Sequence, residues 1–428
     1  MTTTLAGFAD LGVPAPVVAS LAKLGIETPF PIQQAALPDA LAGRDLLGRG
    51  RTGSGKTVAF AIPTLVALAN SNRRQKPGHP RALILVPTRE LANQVTKVFA
   101  PLARSLSLHV TTVIGGAPQR PQVEALRRGV DVVIACPGRL EDLIGQRHCQ
   151  LDQVEVTVID EADLMADLGF LPAVQRLLDQ TPSKGQRMLF SATLDRAIDA
   201  LVRRYLTDPV THAVDAVNEA PVELTHHVLA VTQDDKQAIV RELASGHERS
   251  LLFTRTKHSA KKLAQRLSAS GISATELHGN LSQSARERNL SAFMTGSARV
   301  LVATDIAARG IHVDDIALVV HVDPPAEHKS FVHRSGRTAR AGATGVVVTL
   351  MTPDQAKAVR LLARDANVTP TTTKVTPGHA LVRQLVGPAA PAVPVTATPR
   401  SPKPSATTTR HIRPTRRTPR PRGKRTYS

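Results

Sequence analysis

Two α/β domains in tandem, each on a parallel sheet and followed by a disordered basic tail, are the fold class that this 428-residue chain predicts. Three observations carry that reading. Short β-branched runs alternate with loop residues and helix-like segments, two such series are separated by a stretch without period, and positive charge collects at one end of the chain.

The first series is DLL at 45, RALILV at 81, VDVVIA at 130, VEVTVI at 154 and RMLF at 187. Runs apolar at successive positions fit strands buried on both faces, as crossover helices bury a parallel sheet. The segment DPVTHAVDAVNEAPVE (208–223) has no clear periodicity and reads as a linker. The second series follows: THHVLAV at 225, RSLLFT at 249, ARVLVAT at 298, IALVVHV at 316 and GVVVTL at 345. The expected boundaries are a first domain over 1–211, a linker over 212–222, a second domain over 223–365 and a tail over 366–428. No sequence repeat links the halves. From about residue 370 the chain is rich in Thr, Pro, Ala and Arg without helical or strand period, too poor in apolar surface to offset its ordering entropy.

The formal charge is +19, and the last acidic residue is Asp365. Twelve cations beyond it, from Lys374 to Arg425, leave residues 1–365 at +7. Segregated positive charge points to a polyanionic partner. Two cysteines, Cys136 and Cys149, cannot staple a chain of this size and read as reduced thiols. The N-terminus MTTTLAGFADLG lacks a basic segment before an apolar run, and VAFAIPTLVALA (58–69) is too short to span a bilayer and contains Pro63. A soluble, cytoplasmic, monomeric protein is expected.

In open parallel sheets, ligands bind beyond the carboxyl ends of the strands. The chemically loaded residues sit there: GRTGSGKT (50–57), PTRELA (87–92), CPGR (136–139), DEAD (160–163) and SAT (191–193). GRTGSGKT matches the phosphate-binding loop GxxxxGKT. Gly53 and Gly55 let backbone N–H groups curl around phosphate, Lys56 reaches the outer phosphates, Thr57 offers its hydroxyl to Mg²⁺, and a helix N-terminus adds partial positive charge. An acid ending an apolar strand is costly unless it has a job. Asp160 fits a Mg²⁺ ligand, and Glu161 is placed to orient the attacking water. In the second half, HRSGRTAR (333–340) spaces Arg337 and Arg340 to project from one helical face, where they could stabilise charge on a transferring phosphoryl group.

The ordered set resembles the DEAD-box RNA helicases of helicase superfamily two, in their bacterial form, from about Phe8 to Leu350. The matches run Phe8, the Q motif GIETPFPIQ ending at Gln33, GRTGSGKT, PTRELA, Gly115 with Gly116, CPGR, DEAD, SAT, HGN (278–280), Gln283 with Arg286, ATDIAARG (303–310) and HRSGRTAR. The resemblance implies two RecA-like domains and an RNA-dependent ATPase that uses ATP and Mg²⁺ to pry short RNA duplexes apart. It places Phe8 on the adenine ring, Gln33 on its edge, and Thr52, Gly53, Ser54, Gly55, Lys56 and Thr57 around the phosphates. Hydrolysis falls to Asp160, Glu161, Lys56, Arg337 and Arg340. Asp163, Ser191, Thr193 and His333 couple nucleotide to domain closure. Thr88, Arg89, Gly116, Arg139, Gly279, Arg286 and Thr304 contact the RNA backbone.

Composition agrees with backbone binding: with no Trp and 3% aromatic residues, base-stacking platforms are scarce. Four residues depart from the family pattern: Phe30 for Ser or Thr, Cys136 for Thr, Asn280 for Asp and His312 for Asp. They bear on ATP affinity and coupling. His312 would titrate near neutrality beside phosphate. An ATP-gated RNA clamp with weak turnover and a DNA-directed helicase stay open as alternatives. The basic tail is expected to anchor RNA nonspecifically, or to dock on ribosomal RNA or RNA-decay proteins.

Overall fold

A computed structural model describes residues 7–50, 53–213, 224–308, 313, 316–338 and 345–391. In the first half the strands are β1 (Leu46–Arg49), β2 (Ala82–Leu85), β3 (Val110–Val113), β4 (Val132–Ala135), β5 (Val156–Ile159), β6 (Gln186–Ser191) and β7 (Val210–Ala213). The second half supplies β8 (Leu224–Ala230), β9 (Ser250–Phe253), β10 (Ala274–Leu277), β11 (Val300–Ala303), β12 (Leu318–His321), β13 (Gly345–Met351) and β14 (Thr371–Lys374). Among the described residues these form two sheets, ordered β3-β4-β2-β5-β6-β1-β7 and β10-β11-β9-β12-β13-β8-β14. All pairings are parallel. Counting the second sheet from its own first strand gives the same order as the first, so the halves repeat one topology that their sequences conceal.

Alternation along the strands builds two cores per sheet. In β2, Ala82 and Ile84 join Leu46, Val132, Val158 and Phe190 on one face. Leu83 and Leu85 join Leu47, Val133, Ile159 and Leu189 on the other. The second sheet is divided likewise, with Leu252, Val302 and Val320 opposite Leu251, Leu301 and Val319. Because side chains alternate across a strand, runs of four apolar residues feed both layers at once. Both sheets belong to one compact unit.

Two expected boundaries are corrected. β7 carries His212 and Ala213, paired with Gly48 and Arg49 of β1, so the first domain runs two residues into the expected linker. The remainder of that linker, 214–222, lies outside the described residues. The second domain does not stop at 365. β14 pairs with β8, the helix Ala380–Val386 follows, and Gly246 bridges to Ala389. Val375 and Val382 are buried in the core with Leu229, Ile239 and Leu243. The tail was expected to be unstructured because TTTK has no alternation; backbone pairing to β8 and two buried valines order it instead. Ten of the twelve C-terminal cations lie beyond residue 391, outside the described residues.

Ending the chain at residue 369 should therefore destabilise it, since each buried valine contributes about 1.5–3 kcal/mol. A thermal melt is expected to show Tm lower by several degrees, whereas ending at residue 391 leaves Tm unchanged. Equal melts for both truncations would show that β14 and its helix are dispensable.

Candidate functional site

The helix Lys56–Asn70 begins directly beneath the Gly-rich loop, behind Gly55 at φ +87°. A Cβ at Gly55 would stand 2.5 Å from Gln33 Nε2 and 2.8 Å from Phe30 Cδ2, so both space and backbone require glycine. Lys56 is buried; its Nζ donates to Gly50 O at 2.7 Å and to Glu161 Oε1 at 3.4 Å. Ser54 Oγ is buried without a hydrogen-bond partner, an acceptor or donor held ready at the loop. Gly53 keeps φ +93°, and Thr57 is half-buried one residue into the helix. Thr52 lies outside the described residues.

β5 delivers the acids. Asp160, Glu161 and Asp163 are 2%, 9% and 4% exposed, three carboxyls crowded near one ammonium. Glu161 sits in the left-handed region at φ +53°, an unfavourable conformation for a side chain of this kind and a mark of a residue held for a purpose. Burial first, then the Glu161 charge, pushes the Asp160 carboxyl up to about 7, against the pull of Lys56. Asp163 is raised for the same two reasons, while His333 of the second domain pulls it down. Such a set suits a divalent cation, which relieves carboxylate repulsion where burial penalises it.

Hydrogen bonds join the acids to SAT. Asp163 Oδ2 accepts from Thr193 N at 3.1 Å and Thr193 Oγ1 at 3.2 Å, and Ser191 Oγ donates to Thr193 O at 2.7 Å. Two residues on, Asp195 caps the helix Arg196–Tyr205 and receives Lys329 Nζ at 2.9 Å from the helix His328–Ser335 of the second domain. That helix carries His333 and Arg334, with Arg337 just beyond its end. Arg334 has a structural job: its Nη2 donates to Asp305 Oδ2 at 2.7 Å, and its guanidinium lies 4.9 Å from the centre of the Phe253 ring. Arg337 lines a small crevice with Asp305, Ser330 and His333. Arg340 and His312 lie outside the described residues.

Two adenine-facing expectations are corrected. Phe8 is 2% exposed and packs into the core with Val13, Val17 and Leu37, because a short loop before the helix Ala15–Lys23 folds its ring inward. Gln33 is wholly buried, with Oε1 accepting from Phe30 N and Nε2 donating to Gly55 O, both at 2.9 Å. It ties the Q motif to the phosphate loop rather than offering its amide outward.

The backbone-contact candidates fall at strand ends in matched pairs. After β2, Thr88 Oγ1 caps the helix Arg89–Ser105 by accepting from Leu91 N at 3.2 Å; after β9, Thr256 Oγ1 caps Lys257–Ala269 by accepting from Ser259 N at 3.0 Å. After β3, a Cβ at Gly116 would lie 2.1 Å from Arg89 Nη1; after β10, one at Gly279 would lie 3.7 Å from Lys257 Nζ. Lys257 thus occupies in the second half the place of Arg89 in the first. It also donates to Asn280 Oδ1 at 3.1 Å. Arg139 has a buried Nη1 without a hydrogen-bond partner, and Thr304 is buried after β11. Burial, then the Glu90 charge, pushes the Cys136 thiol up to about 12, so it stays neutral beside these cations.

Across the halves, Arg89 Nη1 donates to Gln283 Oε1 at 3.0 Å and Arg286 Nε to Glu90 Oε1 at 2.8 Å. Sequence reasoning singled out Arg89 and Arg286 but missed Glu90, Lys257 and the Lys329–Asp195 pair. Glu90 was legible inside PTRELA; the other two needed the repeated topology and the packing.

Residues 30–201 match the family model of the DEAD/DEAH box helicase, and 234–342 that of the helicase conserved C-terminal domain. The ATP-dependent RNA helicase RhlB of Pseudomonas syringae is 38% identical over 81% of this chain and 89% of its own length. The chain belongs to the DEAD-box helicase family. A DEAD-box ATP-dependent RNA helicase of rice is 40% identical over 83% of this chain and 57% of its own length, so the chain spans little more than half of that relative. Among solved structures, yeast Dbp5 bound to RNA and ADP BeF3 superposes with a TM-score of 0.75 at 24% identity, covering 89% of this chain and 99% of that one. This DEAD-box protein therefore has the tandem RecA-like fold.

Proposed function

We propose that this DEAD-box protein is an ATP-dependent RNA helicase that grips RNA by its backbone and opens short duplexes locally. The observation that carries the reading is the continuous chain of contacts from the phosphate loop, through Lys56 and Glu161, to Asp163, Thr193 and the second-domain helix bearing His333 and Arg337. Lys56 binds outer phosphates, Glu161 orients the attacking water, and Arg337 meets the developing charge, with Arg340 as a second donor. Thr57 and Asp160 would hold Mg²⁺, which neutralises phosphate charge when bound. Asp163 reports phosphate occupancy to Thr193 and His333, so nucleotide state biases how the halves meet.

RNA lies across Arg89, Arg139, Lys257 and Arg286, with the glycines leaving room for phosphate. Such contacts carry no base sequence. Segregated charge beyond residue 391 supports a nonspecific RNA anchor there, with ribosomal RNA or RNA-decay proteins as partners; the protein acts as a monomer. The test is ATP hydrolysis alone, with single-stranded RNA and with single-stranded DNA of equal length. Stimulation at least tenfold greater with RNA is expected. Equal stimulation by DNA would overturn the RNA assignment, and ATP-dependent RNA binding without stimulation would make the protein a clamp.

A further inference from the structure

The nucleotide pocket has an aromatic wall that its motif does not call for. Phe30 N-caps the helix Pro31–Leu41, is 49% exposed, and lays its ring against the last glycine of the phosphate loop. An aromatic side chain half in solvent is an apolar surface held open at a cost, and this one adjoins the loop in which phosphates would lie. Phe8, the other aromatic of the segment, is sealed in the core. Gln33, the polar group able to read a base edge, is wholly buried with oxygen and nitrogen each bonded inside the protein.

We propose that Phe30 is the base-stacking platform of this site, and that the pocket accepts purine nucleotides through a ring face rather than a read edge. This rests on the phosphate-loop reading of the preceding section. A nucleoside whose phosphates enter the loop must extend outward past Gly55, and the apolar face there is Phe30. Stacking is tolerant of base identity, because every base presents a π-face, whereas discrimination needs hydrogen bonds to the edge. With Gln33 committed to Phe30 N and Gly55 O, adenine and guanine nucleotides are held alike.

The experiment is equilibrium binding of ribose-labelled fluorescent ADP and GDP to the full chain, which has no Trp to interfere with the signal. The native protein is expected to bind the two within about threefold of each other. Phe30→Ser should weaken both roughly tenfold or more, the loss of a base–aromatic stack, and Phe30→Tyr should restore them. Serine is a good N-cap, so the variant keeps its helix, which a melt verifies. Unchanged affinity in Phe30→Ser, or native preference for ADP above a hundredfold, would overturn the proposal. Lys56→Ala separates the two readings: if it leaves nucleotide affinity intact, the phosphate-loop reading fails; if it abolishes binding while Phe30→Ser does not weaken it, only the platform fails.

Discussion

Glu161→Gln should lower RNA-stimulated ATP hydrolysis by about 10²- to 10⁴-fold, the usual contribution of a positioned base, while nucleotide affinity stays level or rises. The carboxylate lies 3.4 Å from Lys56 Nζ and competes with phosphate for that ammonium. Glutamine keeps the shape and removes the competition. It also keeps the positive φ, so the melting temperature should barely move. Glu161→Gly gives the complementary result: hydrolysis lost, with the backbone at φ +53° relieved and the fold no less stable. Single-turnover hydrolysis together with nucleotide titration measures both quantities. A Glu161→Gln rate within tenfold of native would assign water activation to another group.

Asp160→Asn should abolish hydrolysis and yet make the nucleotide-free protein more stable at pH 8. Burial raises the Asp160 carboxyl to about 7, above its ordinary range near 4 in an unfolded chain. Between those values the folded state keeps a proton that the unfolded state has lost. Stability from this group is thus fully present below the unfolded value and is lost as pH rises through the folded one. Melting temperature of the native protein without nucleotide should fall from pH 5 to pH 8. Asp163, raised in the same direction, adds to the slope, and the Asn variant isolates the share of Asp160. Identical pH slopes in native and variant would mean that Lys56 already compensates the Asp160 charge.

Every interior strand of both sheets was legible in the sequence, and none of the four edge strands was. RALILV and ARVLVAT announce β2 and β11 because both faces of those strands are covered, so each position is apolar. β3, β7, β10 and β14 each have a neighbour on one side only, and their sequences VTTV, VTHA, ATEL and TTTK keep polar residues where water reaches. Their identity lies in backbone pairing, to which side-chain pattern is nearly blind. The same division runs through the site. The phosphate loop and DEAD are contiguous and declare themselves. Lys257, by contrast, became visible only when Gly279 was found beside it as Gly116 is beside Arg89. The sequence also could not show that Phe8 turns inward, since a ring that packs and a ring that stacks are spelled alike.

The shared strand order has a kinetic meaning. Two copies of one topology lie in one chain, but the Gly-rich loop follows β1 alone; after β8 the chain runs VTQDD, without glycine or GKT. The arginines that answer it reside in the other copy. Arginines can reach a transferring phosphate from the same protein or from a partner, and here the partner is tethered. Assembly of the hydrolysis site is accordingly a first-order event at an effective concentration fixed by the tether, independent of how dilute the protein is. One nucleotide per chain, turned over at a rate per molecule that dilution does not change, is the behaviour such a covalent pair must have.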